Sequence, residues 1–157
     1  MYRQTKVNSP LTGTTSYAYD QYSMLTSRTD AEGNTVSYEY DHNNNLTKVT
    51  YPDGAGRSYV YDARNRLVKE VDGYGNETKY SYTNSDLLSS VTDADGVSTQ
   101  YSYDYMGNLT EVLDGNHHKT TYVYDEAFRL VEMKNAAGQS AYYVRDAAGR
   151  VLQYTDY

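Results

Sequence analysis

Residues 38–41 read YEYD, and 21 positions later residues 59–62 read YVYD. The phrase begins at Tyr17, Tyr38, Tyr59, Tyr80, Tyr101, Tyr122 and Tyr143, as YAYD, YEYD, YVYD, YSYT, YSYD, YVYD and YVRD, with no insertion or deletion between copies. A fixed period of this length marks a repeat architecture, in which each unit is one supersecondary element unable to bury its own apolar surface. Residues 1–157 are therefore read as a single array, excised from a longer protein.

The punctuation inside each repeat decides what that element is. Two turn phrases of the form Asp-x-x-Gly alternate along the chain. One follows the Tyr phrase, as in Asp20 to Ser23, Asp41 to Asn44, Asp62 to Asn65, Asp104 to Gly107 and Asp146 to Gly149. The other falls midway, as in Asp30 to Gly33, Asp72 to Gly75 and Asp93 to Gly96, with Tyr51 to Gly54 and Asn135 to Gly138 as variants. Asp or Asn at the first position and Gly at the fourth suit a type I turn that runs on into the left-handed region. Ser23, His117 and Phe128 occupy the fourth position without that tolerance, so their turns are expected to be irregular or strained. Between turns lie segments of six or seven residues, such as NTVSYEY, the length of short antiparallel strands. The expected fold is all-β: a continuous antiparallel meander of about fourteen strands, seven hairpins long, in a curved or spiralling single-layer sheet.

The Tyr strands alternate with period two, placing Val36, Tyr38 and Tyr40 on one face and Thr35, Ser37 and Glu39 on the other, solvated face. The partner strands do not. Leu46 and Val49, like Leu109 and Val112, are three apart and would face opposite ways unless a bulge intervenes. Stacked repeats should then align two Tyr columns with a Leu column at Leu25, Leu46, Leu67, Leu88, Leu109 and Leu130.

Composition agrees. The chain has 38% hydrophobic residues, a mean hydropathy of -0.85, one Phe, no Trp and 21 Tyr. Tyr combines a large ring with a hydroxyl that tolerates water, which suits a thin layer with a partly wet face. A net charge of -7 and a pI near 4.8 provide no basic stripe for nucleic acid. No apolar run is long enough for a helical membrane span, and the transmembrane-barrel reading fails because the strands are short and both faces carry charge. The N-terminus lacks the apolar stretch of a signal peptide. With no Cys there is no disulfide framework, and the compartment stays undecided on that ground.

The whole unit, Tyr-x-Tyr-Asp-x-x-Gly-x-Leu-x-x-Val-x-Asp-x-x-Gly-x-x-Thr-x, resembles the YD repeat of the Rhs family, found in bacterial Rhs and wall-associated proteins, in shell subunits of insecticidal toxin complexes and in teneurins. The resemblance runs from about Val7 to Asp156. Departures are local: Thr83 replaces a turn Asp, Arg145 a second Tyr, and His117 and Phe128 turn residues. The resemblance implies a spiralling strip of hairpins that in long proteins curls into a hollow shell around an effector, or serves adhesion at a cell surface. It implies a secreted or cell-surface bacterial parent and, as partner, the cargo or effector domain of that parent. Neither the family's self-cleaving core segment nor a non-repeating C-terminal domain is present in the sequence, so the chain is expected to be a piece of wall.

Candidate chemistry is sparse. His117 and His118 could begin a metal site, but they sit in a turn with no further His or Cys nearby. The segments Asp93–Gly96 and Asp72–Asn76 have calcium-loop letters yet complete no calcium signature, and the turn explains them fully. Most acidic residues fall on turn positions, and no Ser, His and Asp constellation is specified, so a hydrolase is the third reading and no catalytic residue, metal or cofactor is assigned. Sequons at Asn45, Asn76 and Asn108 arise from turn Asn beside strand Thr. The tyrosines Tyr38, Tyr40, Tyr59, Tyr61, Tyr80, Tyr82, Tyr101, Tyr103, Tyr122 and Tyr124 could stack on a glycan. The plainer reading makes them packing residues. The leading expectation is a non-catalytic structural module, with a carbohydrate-binding or adhesive surface as the alternative.

A meander exposes an unpaired strand at each end, here near Val7 and Val151, and open edges are templates for pairing. Self-association through these edges is expected, stronger at about 0.5 M salt, where the net negative charge is screened, than at low salt. Sedimentation showing a strict monomer at high concentration under both conditions would count against it.

Overall fold

The computed structural model describes residues 6–9 and 13–156. Its strands are β1 Lys6–Ser9, β2 Gly13–Tyr19, β3 Leu25–Thr29, β4 Thr35–Tyr40, β5 Leu46–Thr50, β6 Gly56–Tyr61, β7 Leu67–Val71, β8 Glu77–Tyr82, β9 Leu88–Thr92, β10 Ser98–Tyr103, β11 Leu109–Leu113, β12 Lys119–Tyr124, β13 Leu130–Lys134, β14 Ser140–Arg145 and β15 Val151–Thr155. No helix occurs among the described residues. The 15 strands form one open sheet in chain order without a crossover, one strand more than expected because β1 precedes the first Tyr phrase. The chain divides into two compact units, Met1–Thr78 and Lys79–Tyr157.

Each turn is the same device. In unit 1 the Asn44 N–H donates to the Asp41 carbonyl at 3.1 Å, and the Asp41 N–H donates to the Asn45 carbonyl at 3.0 Å. This is the three-residue hairpin loop whose last residue is left-handed, and Asn44 has φ 66°. The paired bonds recur in 13 described turns, from Asp20 to Asp146. The turns at Ser23, His117 and Phe128 are no exception: φ is 75°, 63° and 58°, with both closing bonds formed. The expectation of irregularity is corrected, because two backbone bonds hold the loop whichever side chain stands there. The strain is confined to the side chain's own clash with its backbone.

The strands continue what the turns begin. In unit 1, Tyr38 lies opposite Val49, Glu39 opposite Lys48, and Tyr40 opposite Leu46, so one residue of β5 is left over between Leu46 and Lys48. The bulge inferred from the three-residue Leu–Val spacing is present, and it brings Leu46 and Val49 onto the Tyr face. Unit 2 repeats it with Tyr101 opposite Val112 and Tyr103 opposite Leu109, and with Tyr122 opposite Met133 and Tyr124 opposite Leu130. Such cross-strand pairs contribute roughly 0.2–1 kcal/mol each, so the array rather than any single pair holds the sheet.

Successive hairpins part company near the Tyr-turn edge. Between β3 and β4 the register ends at Ser27 opposite Ser37, and beyond it the Tyr40 hydroxyl spans the gap to donate to the Leu25 carbonyl at 3.0 Å. Tyr103 donates likewise to Leu88 at 2.9 Å and Tyr124 to Leu109 at 2.9 Å. This explains why the second position of the phrase is Tyr and not Phe. Arg145 substitutes by reaching the Leu130 carbonyl with Nη2 at 3.5 Å.

Little of this is a core. Among the described residues only Val49 and Ala141 are buried hydrophobics, and no large side chain is fully buried.

Two substitutions test the assignment. Gly107 has φ 91°, so Gly107→Val is expected to destabilise by about 1 kcal/mol or more. Tyr103→Phe strands the Leu88 carbonyl and is expected to cost about 1 kcal/mol. Urea denaturation of both variants reads these losses directly, and midpoints equal to wild type would refute the turn and the hydroxyl bridge respectively.

Candidate functional site

Of the 21 Asp and Glu residues, the turn aspartates are engaged by their own loops. Asp41 Oδ1 accepts the N–H groups of Asn43 and Asn45, both at 2.9 Å, while Oδ2 accepts the Asn45 side-chain amide at 3.0 Å. Asp62 uses its two oxygens in the same way, with Arg66 as the side-chain donor at 2.8 Å. Asp104 does so with Asn108, and Asp125 with Arg129. A carboxylate so engaged is held ionised, the opposite of what a general acid needs. Thr83 mimics the pattern with Oγ1, accepting from Ser85 and Leu87 at 3.2 Å each.

The calcium-like segments fall under the same rule. Asp72 accepts from Tyr74 and Asn76, and Asp93 from Asp95 and Val97. Among the described residues no three His, Cys, Asp or Glu side chains converge as a metal site. His117 takes the left-handed turn position, and His118 Nδ1 lies 3.2 Å from Asp114 Oδ2 within its own turn.

The ten tyrosines singled out for stacking all lie on the Tyr face and are half-buried. Burial pushes the phenols of Tyr40, Tyr61, Tyr103 and Tyr124 above their ordinary range. For Tyr40, Tyr103 and Tyr124 the hydroxyl is also committed to a backbone carbonyl. These second-position rings fasten one hairpin to the previous one.

Open space remains where the hairpins part. In unit 1 a groove of about 550 Å³ lies between the Asp20 and Asp41 turns, lined by Tyr22, Tyr38, Glu39, Tyr40, His42 and Asn44. In unit 2, four repeats further along the chain, a groove of about 530 Å³ lies between the Asp104 and Asp125 turns, lined by Tyr105, Tyr122, Val123, Tyr124, Glu126 and Phe128. On the other turn edge a third, of about 380 Å³, is lined by Tyr51, Arg57, Gly73 and Tyr74. Sequence reasoning missed all three, since a groove arises from the gap between hairpins and no motif spells it. For the third, the available signal was the column-by-column comparison of repeats, which shows Gly56 where other copies carry Thr, Ser, Glu or Lys and Arg57 where they carry Thr, Val or Ala.

With this geometry in hand, the comparisons with known proteins are decisive. A model of the RHS Repeat family matches residues 23–57, 40–77, 82–119 and 107–141. The chain belongs to the RHS repeat family. Comparison with individual curated proteins gives no match. Among solved structures, a Tc holotoxin pore of Photorhabdus luminescens carrying a TccC3 mutation is similar at 19% identity and a TM-score of 0.74, over 90% of this chain and 9% of that one. A crystal structure of TcdB2-TccC3 is similar at 21% identity and a TM-score of 0.74, with the same coverage. The likeness establishes a shared fold, and this chain spans about a tenth of those chains. It is a structural module of RHS repeats.

In these RHS repeats the turn carboxylates set the response to pH. The Asp30, Asp41, Asp72 and Asp104 carboxyls are held below the usual range chiefly by the side-chain amides of Asn34, Asn45, Asn76 and Asn108. Arg66 and Arg129 lower Asp62 and Asp125. The backbone N–H groups of His118 and Arg150 lead for Asp114 and Asp146. A carboxyl depressed in the folded state contributes stability that is complete above its unfolded pKa, near 3.9, and is lost as pH falls through the folded value. Stability is therefore expected to fall steeply below about pH 4. Asp72→Asn, which retains an acceptor as Asn135 does toward Gln139, should lower the midpoint at pH 7 and flatten the acid limb. Parallel acid limbs for variant and wild type would sink the assignment.

Proposed function

We propose that this module is a segment of an RHS-repeat wall that encloses or displays an effector domain carried elsewhere in its parent protein, a secreted or cell-surface bacterial protein. The observation that supports the reading is the lack of a core. With Val49 and Ala141 the only buried hydrophobics among the described residues, the sheet is one layer thick. A layer that commits its turn aspartates to their own loops and the phenols of Tyr40, Tyr103 and Tyr124 to carbonyls is built to continue and to separate two sides. The effector is the partner this reading requires, and no cofactor or catalytic group of this chain takes part.

Limited proteolysis of the intact parent protein tests it. The effector should survive a protease that digests it as an isolated domain, and should become sensitive at the urea concentration that melts the β signal of the wall. Digestion at equal rates in the parent and in isolation would overturn the proposal.

A second reading, glycan binding, draws support from the unit 1 groove, where the rings of Tyr38 and Tyr40 stand beside Asp41 and Asn44. Calorimetry against an oligosaccharide panel should give binding that Tyr38→Ala removes. An absence of heat from every sugar would end this reading.

A further inference from the structure

The grooves of the two units have the same frame and different linings. Each groove has one exposed ring on its first turn, Tyr22 in unit 1 and Tyr105 in unit 2, but where unit 1 has Glu39 and Asn44, unit 2 has Val123 and Phe128 at the repeat-equivalent positions. In unit 1 the polar lining continues into a bridge between successive turns, since Asn43 and Asn45 both donate to Asn65 Oδ1, at 2.9 and 2.8 Å. In unit 2 Arg129, at the position of Asn45, bridges to the next turn through Nη1 to the Asp146 carbonyl at 3.5 Å, while the groove itself gains Val123 and Phe128.

Phe128 makes the replacement costly. It stands at φ 58°, where the β-carbon meets the backbone and bulky residues are genuine outliers. Asn44 and Asn65 hold the same position with a residue type that tolerates it, and Gly107 and Gly149 hold it without penalty. Phe128 leaves about half of its ring in solvent, at 47% exposed, beside Tyr105 at 91%, Met106 at 55% and Val123 at 47%. A strained, half-exposed ring among other exposed apolar side chains points to a contact outside the fold.

The lining also selects its occupant by charge. Asp104, Asp125 and Glu126 border the groove, and no Lys or Arg lines it. Arg129 offsets Asp125 at 2.8 Å, while Glu126 is exposed. The chain's own net charge of -7 sets a second copy against this border.

We propose that the unit 2 groove is a docking site for a partner polypeptide segment that presents an apolar side chain next to a Lys or Arg. The apolar group sits against Phe128, Tyr105 and Val123, and the cation faces Asp104 and Glu126. Aromatic anchors in a concave patch with a charged rim are the usual arrangement of an energetic centre in an interface.

Selection of a phage-displayed random peptide library on the purified chain tests the proposal, since the library presents every short combination of side chains to the groove. Enriched peptides should pair an apolar residue with Lys or Arg. They should bind Phe128→Asn and Val123→Glu at least about tenfold more weakly than wild type. Phe128→Asn, which installs the residue found at Asn44, should melt at the same temperature as wild type or higher. No enrichment, enrichment of acidic or wholly polar peptides, or equal binding to the variants would overturn it. A lower melting temperature for Phe128→Asn would overturn it too, by making Phe128 a packing residue. Concentration-dependent self-association of the wild type that Phe128→Asn abolishes would instead give the groove to a second copy and defeat the proposal.

Discussion

Most turns of this sheet are set by a carboxylate folding back on its own loop. One Asp oxygen captures the N–H groups two and four residues ahead, and at most positions the other holds the side chain four ahead, as Asp41 does with Asn45. That clasp sets the loop at three residues and its last residue in the left-handed region. Loop length then fixes which residues face each other, because register in a hairpin follows turn geometry. From register follow the pairing of Tyr40 with Leu46, the bulge between Leu46 and Lys48, and the parting of hairpins that a hydroxyl of tyrosine length, or Arg145 in its place, spans. A local interaction worth little in isolation is thus multiplied by the period into a fold.

The exceptions show what each position requires. Thr83 supplies one acceptor oxygen where Asp supplies two, and its bonds are longer, at 3.2 Å. Asn135 keeps the acceptor and turns the outer contact around, so that its amide donates to Gln139 Oε1 at 2.9 Å. Arg145 exchanges a phenol for a guanidinium that reaches Leu130 and also Gly149, at 3.2 Å, and lies over the Tyr143 ring at 5.6 Å. In each case the replaced group's hydrogen-bonding direction survives and its chemical identity does not. Tyr51 stands apart, since it offers no acceptor to its turn, which the two backbone bonds close alone.

Most of the fold was legible in the letters because the controlling interactions are short in sequence. A turn spanning Asp41 to Asn45, an alternation over Val36, Tyr38 and Tyr40, and a bulge implied by Leu46 and Val49 each lie within six residues. The regular hydrogen bonding of the Ser23, His117 and Phe128 turns was not legible, since residue preference reports the cost of a conformation and says nothing of the bonds that offset it. Nor was the link from Tyr40 to Leu25, which joins residues 15 apart and depends on where the ladder between β3 and β4 stops. The grooves were hidden for a related reason: they are spaces between repeats, whereas a motif describes what lies inside one.

The clasped turn also determines how the strip responds to mechanical load. Each hairpin carries its own closing bonds and leans on its predecessor through a short ladder and, at Tyr40, Tyr103 and Tyr124, a single phenolic bond. Tension applied along the chain meets these fasteners one after another rather than all at once, so the strip lengthens in hairpin-sized steps. Because every released hairpin retains the information for its own loop and register, it can close again on the edge it left. A material of this kind is ductile: it yields in small reversible increments where a domain with a common core would rupture in one event.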